Sequence, residues 1–251
     1  MTLNFPTLLI NLKRSEWRLR MMMEHFPNED FIIIDGVDGR QWEDGRLNEM
    51  GRPEFSDIGI QYLIDSGILG KDSRERWPLI PCEVGCALGH RAAWEYVVKN
   101  ELEFAIICED DIVPSKAYRG NFSLSIENAG GIPEDADVMF LTGEDTAQYP
   151  MRTDELGRLL RGWCNYAYVI TGIGAEKAIR AQFPMYLPCD VQWWSRAFRD
   201  YEVSMFLPRI EDAGFAYAMK EAIVKRGGTG YATTMTRDGK KPWKQHSRIV
   251  K

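Results

Sequence analysis

The chain has 251 residues, 45% of them hydrophobic and 27% charged, a composition that excludes a mainly disordered, collagen-like or coiled-coil protein. This length suits one large domain, or a domain with an appendage, able to enclose a core and a deep cleft. With 31 Lys and Arg against 37 Asp and Glu the net charge is −6, the wrong sign for a dedicated nucleic-acid coat protein.

In chain order, Thr7 to Leu12 reads as a short buried strand, and Ser15 then caps a helix carrying Trp17, Met21 and Met22. Phe31 to Ile34 is a second buried strand, closed by Asp35-Gly36-Val37-Asp38-Gly39, where two glycines permit a tight turn. Arg40 to Pro81 is polar and glycine-containing, with one modest helix near Asp57 to Asp65, and reads as a peripheral excursion. Cys82 to Lys99 has helical spacing that puts Glu83, Cys86, His90, Trp94 and Val97 on one stripe. Phe104 to Cys108 gives a strand that runs into Glu109-Asp110-Asp111. Strands follow at Val138 to Thr142 and Ala167 to Thr171, with a helix from Gly174 to Phe183 and another after Asp190. Strands alternating with helices predict an α/β sheet with a parallel portion.

Past Ile223 regular patterning stops. From Lys220 onward nine basic residues face two acids, a local charge of +7 that leaves about −13 for the rest of the chain. The expected organisation is one domain over residues 1–219 followed by a basic, glycine-containing segment, 220–251. The apolar stretch from Leu8 to Leu12 is too short for a signal sequence, and no stretch approaches the ~20 apolar residues of a spanning helix, so a cytoplasmic location is expected. Cys82, Cys86, Cys108, Cys164 and Cys189 are odd in number and lack C-x-x-C spacing. They indicate neither a disulfide framework nor a structural zinc site, and a reducing compartment fits them.

Glu109-Asp110-Asp111 crowds three carboxylates at the carboxyl edge of the sheet, where ligands of open α/β folds bind. Alternate residues of an extended segment point the same way, so Glu109 and Asp111 can reach one metal while Asp110 turns elsewhere. Hard oxygen donors suit Mg²⁺ or Mn²⁺ bridging to substrate phosphates. Helix capping and solvated turn acids before Pro114 are an equally good account of the same residues.

Asn11-Leu12 with Ser15 and Arg18, Gly36-Val37-Asp38-Gly39, the run from Glu83 to His90, and Glu109-Asp110-Asp111 together resemble glycosyltransferase family 25 in order and spacing. Tyr168-Val169-Ile170-Thr171, Gly174-Ala175 and an isolated Asp190 after Pro188 extend the resemblance over about residues 7 to 200. This family includes bacterial lipooligosaccharide galactosyltransferases and collagen galactosyltransferases. The resemblance implies a GT-A type fold, a mixed Rossmann-like sheet flanked by helices, with inverting chemistry on a UDP-sugar donor. The chain departs from the family at Gly89, where Ser is common, and in its C-terminal third.

On this reading Asn11, Leu12, Arg14, Arg18, Asp38, Glu83, His90 and Asp110 line the donor site, with arginine paired to diphosphate. For Arg14 and Arg18 the competing account is a helix-surface arginine. For Asp38 it is a turn aspartate, and for His90 a packed core histidine. His90 has no partner at metal-site spacing and is not expected to bind zinc. Asp190 is the candidate general base, its rival role an N-cap opening a helix with Trp193 and Trp194. Glu109 and Asp111 are the metal ligands.

The expected activity moves a hexose, by preference galactose, from a UDP-sugar to a hydroxyl of a lipooligosaccharide-type glycan or glycolipid. A non-catalytic nucleotide-sugar or glycan-binding protein on the same scaffold is the alternative, and a phosphate-rich acceptor such as modified nucleic acid is another. In the basic segment, Lys241 and its neighbours Lys240 and Lys244 either close over the donor diphosphate or attract an anionic acceptor at a membrane face or on nucleic acid. A solvated terminus is the third account.

Overall fold

The computed structural model describes residues 5–39, 81–132, 136–141 and 165–182, together with Glu134 and Cys189, and the backbone of four further strands. The predicted excursion at 40–80, the helix after Asp190, and Lys241 lie outside the described residues.

The predicted strands form as β1 (Thr7–Asn11), β2 (Phe31–Asp35), β3 (Phe104–Glu109), β5 (Ala136–Phe140) and β8 (Ala167–Thr171). To these the structure adds β4 (Ile112–Pro114), β6 (Ala147–Met151), β7 (Leu156–Arg161), β9 (Phe215–Met219) and β10 (Val224–Arg226). Helices are α1 (Glu16–His25), α2 (Pro81–Lys99), α3 (Phe122–Asn128) and α4 (Gly172–Gln182). Pro81 opens α2 at the position where a missing N–H costs nothing.

One sheet runs β2-β1-β3-β8-β5-β9-β7-β6. β1 pairs in parallel with both β2 and β3, whereas β8 is antiparallel to β3 and to β5. Burial on both faces explains the continuous apolar runs of β1, β3 and β8. β2, expected to be buried, is the edge strand, with only Ile34 buried and Ile33 39% exposed. Leu9, Ile106, Met139 and Val169 face Met22 of α1 and Phe122 of α3. Their neighbours Leu8, Ile107, Phe140 and Ile170 face Trp94 of α2 and Ala175 of α4. The two-residue alternation of a strand thus sorts one apolar run into two cores.

β1 lies between β2 and β3, so the connections leaving its carboxyl end diverge and a crevice opens there. At the ends of β1, β2 and β3 stand Asn11, Asp35 and Glu109, of which Glu109 lines the crevice.

Three local expectations change. Ser15 holds the N-cap position of α1, but its side chain makes no capping bond. Its backbone N–H closes a turn on Leu12 O at 2.7 Å, and its carbonyl accepts from Asn11 Nδ2 at 3.3 Å. Gly36 and Gly39 are not in the left-handed region either. A Cβ on Gly36 would stand 3.1 Å from the Leu12 side chain and 3.3 Å from the Asn11 backbone, so close approach, not turn geometry, requires glycine there. Finally, order does not stop at Ile223. Val224–Arg226 pairs antiparallel with Ile112–Pro114, which supplies the hydrogen bonds that the side-chain pattern does not signal.

Candidate active site

The crevice is lined from β1 by Ile10 and Leu12, from the loop after β2 by residues 36–39, from α2 by Cys86 and His90, and from β3 by Glu109, Asp110 and Asp111. Arg14 and Arg18 complete its wall. Glu83 sits half-buried in the first turn of α2 and is not among the lining residues. Asn11 is likewise not a lining residue but sits buried behind Asp110, while Leu12, Arg14, Arg18, Asp38, His90 and Asp110 meet in one place.

The three consecutive carboxylates are held differently. Asp110 turns away from the path of its neighbours: Arg18 Nη1 donates to Oδ1 at 2.6 Å and Asn11 Nδ2 to Oδ2 at 2.7 Å. Arg18 is only 3% exposed, which excludes the helix-surface account for that residue. Burial pushes the Asp110 carboxyl upward, the Arg18 charge and both hydrogen bonds pull it back, and Glu109 adds repulsion. Asp111 is buried at the crevice. Arg14 Nε donates to Asp38 Oδ2, so the two residues expected to meet the nucleotide pair with each other.

Glu109 is fixed by the residue just before β8, where its backbone N–H donates to Tyr166 O at 2.9 Å, and its carboxylate accepts from His90 Nε2 at 3.2 Å. His90 is fully buried, and its Nδ1 contacts Tyr168 Oη at 2.9 Å, the same oxygen that accepts from Trp94 Nε1 at 2.8 Å. His90 is thus packed in the core and also touches a crevice carboxylate. Burial opposes its charge, but hydrogen bonds to Cys86 and Glu109 outweigh burial and raise its pKa to about 10. The Cys86 thiol is itself pushed well up, first by its hydrogen bond to Cys189 and then by burial. Cys86 is therefore a thiol that donates to Glu109 Oε1 at 3.7 Å, and Glu109 is the anion that favours imidazolium.

Sequence spacing gave no hint that Cys189 joins this corner. One ligand atom each from Cys86, His90 and Cys189 lie within 4.8 Å of one another, although Cys189 is far from α2 in the chain. The i, i+4 relation of Cys86 and His90 was visible, but a third member supplied by a distant segment was not. Asp190 and Lys241 lie outside the described residues, and so do Trp193 and Trp194.

The sequence model of glycosyltransferase family 25, described as an LPS biosynthesis protein family, matches residues 4–193. The chain belongs to glycosyltransferase family 25. Its mixed sheet, covered by helices and open at the ends of β1, β2 and β3, agrees with the expected GT-A type architecture of the family. A glycosyltransferase 25 family member of Anopheles gambiae is 26% identical over 223 residues, covering 78% of this chain and 34% of the mosquito protein. Human procollagen galactosyltransferase 2 is 25% identical over 190 residues, covering 72% of this chain and 28% of that protein. A bovine relative named as a probable inactive glycosyltransferase 25 family member 3 is 24% identical over 178 residues, covering 68% of this chain and 27% of its own. The chain thus spans about a third or less of the length of these relatives. Among the described residues no helix is long and apolar enough to cross a membrane.

Proposed function

We propose that this chain transfers a hexose, specifically galactose, from a UDP-sugar to a glycan hydroxyl with inversion. The observation that carries the reading is the convergence of Arg14, Arg18, Asp38 and three carboxylates on one crevice at the divergence of β1, β2 and β3. The galactosyltransferase name of the human relative supports the choice of sugar.

The crevice fits Mn²⁺ or Mg²⁺ in its chemistry, because Glu109 and Asp111 are hard oxygen donors on its wall. A bound cation supplies charge neutralisation for the departing nucleotide diphosphate. Arg18 stays committed to Asp110 and holds the motif in position, while the more exposed Arg14 can exchange Asp38 for a phosphate. Asp190 takes the proton from the attacking acceptor hydroxyl. The basic segment, taken as 220–251 after a catalytic domain of 1–219, closes over the donor through Lys241. Its strand β10 supports this role, because Arg226 is in register with Ile112, next to Asp111. The acceptor is a lipooligosaccharide-type glycan met at the cytoplasmic face of a membrane, in line with the family description.

The test is nucleotide release from a panel of nucleotide sugars with Mn²⁺, with lipooligosaccharide and procollagen as alternative acceptors. Release only with UDP-galactose, Mn²⁺ and a glycan acceptor is the expected result. Asp111→Asn should abolish metal-dependent donor binding with the fold intact. Asp190→Asn should lower turnover by about 10²–10⁴-fold with donor affinity little changed. Deletion from Thr236 should weaken UDP binding at moderate salt. An unchanged metal titration in Asp111→Asn overturns the metal assignment, and surviving turnover in Asp190→Asn overturns the base. The bovine relative named as probably inactive favours a second reading, a nucleotide-sugar-binding protein without turnover. Tight UDP-sugar binding with no release under any condition would select it.

A further inference from the structure

We propose that Cys86, His90 and Cys189 form a structural site for a thiophilic divalent cation, Zn²⁺, separate in chemistry from the carboxylate crevice. Their ligand atoms lie within 4.8 Å of one another. Tetrahedral zinc with bonds of about 2.0–2.3 Å separates its ligands by roughly 3.5–3.8 Å, so a contraction of about 1 Å by side-chain rotation closes the set. Cys86 and His90 stand one turn apart on α2 and project to the same side. Cys189 comes from a remote segment and is buried beside Val84 and Ala87 of the same helix.

The surroundings are those of a ligand set with outer support. His90 Nδ1 contacts Tyr168 Oη, which Trp94 Nε1 holds in turn, so ring orientation is fixed and Nε2 is the nitrogen left to ligate. Asn165, itself buried, points its Nδ2 at Cys189 Sγ from 3.8 Å, a donor suited to thiolate. Glu109 Oε1 lies 3.2 Å from His90 Nε2 and 3.7 Å from Cys86 Sγ, a nearby anion that offsets the cation's charge from outside the ligand set, and water completes the coordination.

The proton balance is explicit. Two thiols and an imidazolium exchange their Sγ and Nε2 protons for one cation, giving a bis-thiolate imidazole complex and three released protons. The remaining imidazole proton stays on Nδ1 and is donated to the Tyr168 oxygen. Two sulfurs and a nitrogen select zinc over the Mg²⁺ or Mn²⁺ that the carboxylates prefer. Once bound, the cation would tie α2 to the segment that leads, one residue later, to Asp190.

The experiment is a Co²⁺ titration of the reduced, chelator-stripped full chain, read by absorption. One Co²⁺ per chain with a thiolate-to-cobalt charge-transfer band, displaced by one Zn²⁺, is expected. Cys86→Ser and Cys189→Ser should each weaken binding by roughly tenfold or more. Cys82→Ser and Asp111→Asn should keep the band, which separates this site from the carboxylate site. The absence of a thiolate band at saturating Co²⁺, or its survival in both Cys86→Ser and Cys189→Ser, would overturn the proposal. Should either serine variant fail to fold by circular dichroism, X-ray absorption on the zinc-loaded wild-type chain decides. Two sulfur neighbours at zinc are required, and a shell of only oxygen and nitrogen overturns the site. Recovery of a Cys86–Cys189 disulfide from protein isolated without reductant, with no zinc bound, would replace it by a covalent crosslink.

Discussion

A half-buried and a buried carboxylate at opposite ends of β1 are handled in opposite ways. At the amino end Glu29 accepts from Thr7 Oγ1 at 3.2 Å, Tyr118 Oη at 3.2 Å and the Phe122 backbone N–H at 2.5 Å, all neutral donors. At the carboxyl end Asp110 is held by a guanidinium and an amide, Arg18 and Asn11. Burial pushes both carboxyls upward. Glu29 joins β1, the turn before β2 and the first residue of α3, and neutral donors suffice because that corner only closes the fold. Asp110 sits where the sheet is open, between Glu109 and Asp111, and a fixed cation there offsets crowded negative charge. The same sheet thus has a closed end and an open, crevice-forming end, and partner charge is what distinguishes them.

The largest test of this contrast is Arg18→Leu. It strands a buried carboxylate and should cost about 3–5 kcal/mol in urea unfolding. Adding Asp110→Asn should recover much of the loss, because the stranded charge is removed with its partner. A single-variant cost below about 1 kcal/mol would mean that water already serves Asp110, and the contrast between the two ends would fail.

Glu29→Ala should cost less, about 1–3 kcal/mol, because it leaves three neutral donors short of an acceptor but no stranded charge. Glu29→Gln keeps an acceptor oxygen and should cost less again. Acidity supplies an independent reading. The folded Glu29 carboxyl titrates above its ordinary value of 4.5, so just above that pH the folded chain keeps a proton that the unfolded chain has lost. Its contribution to stability is complete below 4.5 and declines as pH rises through the folded value. Glu29→Gln cannot ionise and should flatten that decline in pH-dependent unfolding. Asp110, shifted in the same direction, leaves a residual slope that Asp110→Asn should remove. A wild-type stability that instead rises across this window would reverse the sign assigned to both groups.

What the sequence made legible follows from the range over which each signal acts. Strands β1, β3 and β8 were visible because each is a short apolar run buried on both sides, while β2 was visible from its apolar run alone, since it lies at the sheet edge with only Ile34 buried. The placement of Glu109, Asp110 and Asp111 at a strand end was visible from the apolar run of β3, and strand alternation anticipated that Asp110 points elsewhere, though not that Arg18 and Asn11 hold it buried. β4 and β10 were not, since three-residue strands carry no period and exist through pairing with each other. Glu29 stood in no motif, and only its meeting with Tyr118 and Phe122, about ninety positions away, gives it a role. Cys189 escaped notice because metal-site spacing is a local rule, while its contact with Cys86 and His90 is made by the fold. Gly36 was singled out for turn geometry, whereas what limits it is close approach to Leu12 and Asn11.

The smallest expected effects come from two glycines of α2, one turn apart, that separate backbone crowding from side-chain crowding at the open end of the sheet. Each gains about 1 kcal/mol of helix propensity on replacement by Ala. They differ in what the added methyl meets. At Gly85 a Cβ would lie 2.6 Å from Val37 O and 2.9 Å from Gly39 N, backbone atoms on either side of Asp38 that cannot rotate away. Overpacking of about 1–3 kcal/mol then offsets or exceeds the gain, and the loop holding Asp38 against Arg14 must move. At Gly89 the nearest atom is Ile10 Cγ2 at 3.0 Å, a methyl that needs to yield only a few tenths of an ångström. Gly85→Ala should therefore lower both Tm and UDP affinity, whereas Gly89→Ala should leave Tm nearly unchanged. Equal losses in the two variants would show that the helix, rather than the loop, absorbs the strain, and that Asp38 is not positioned through Gly85.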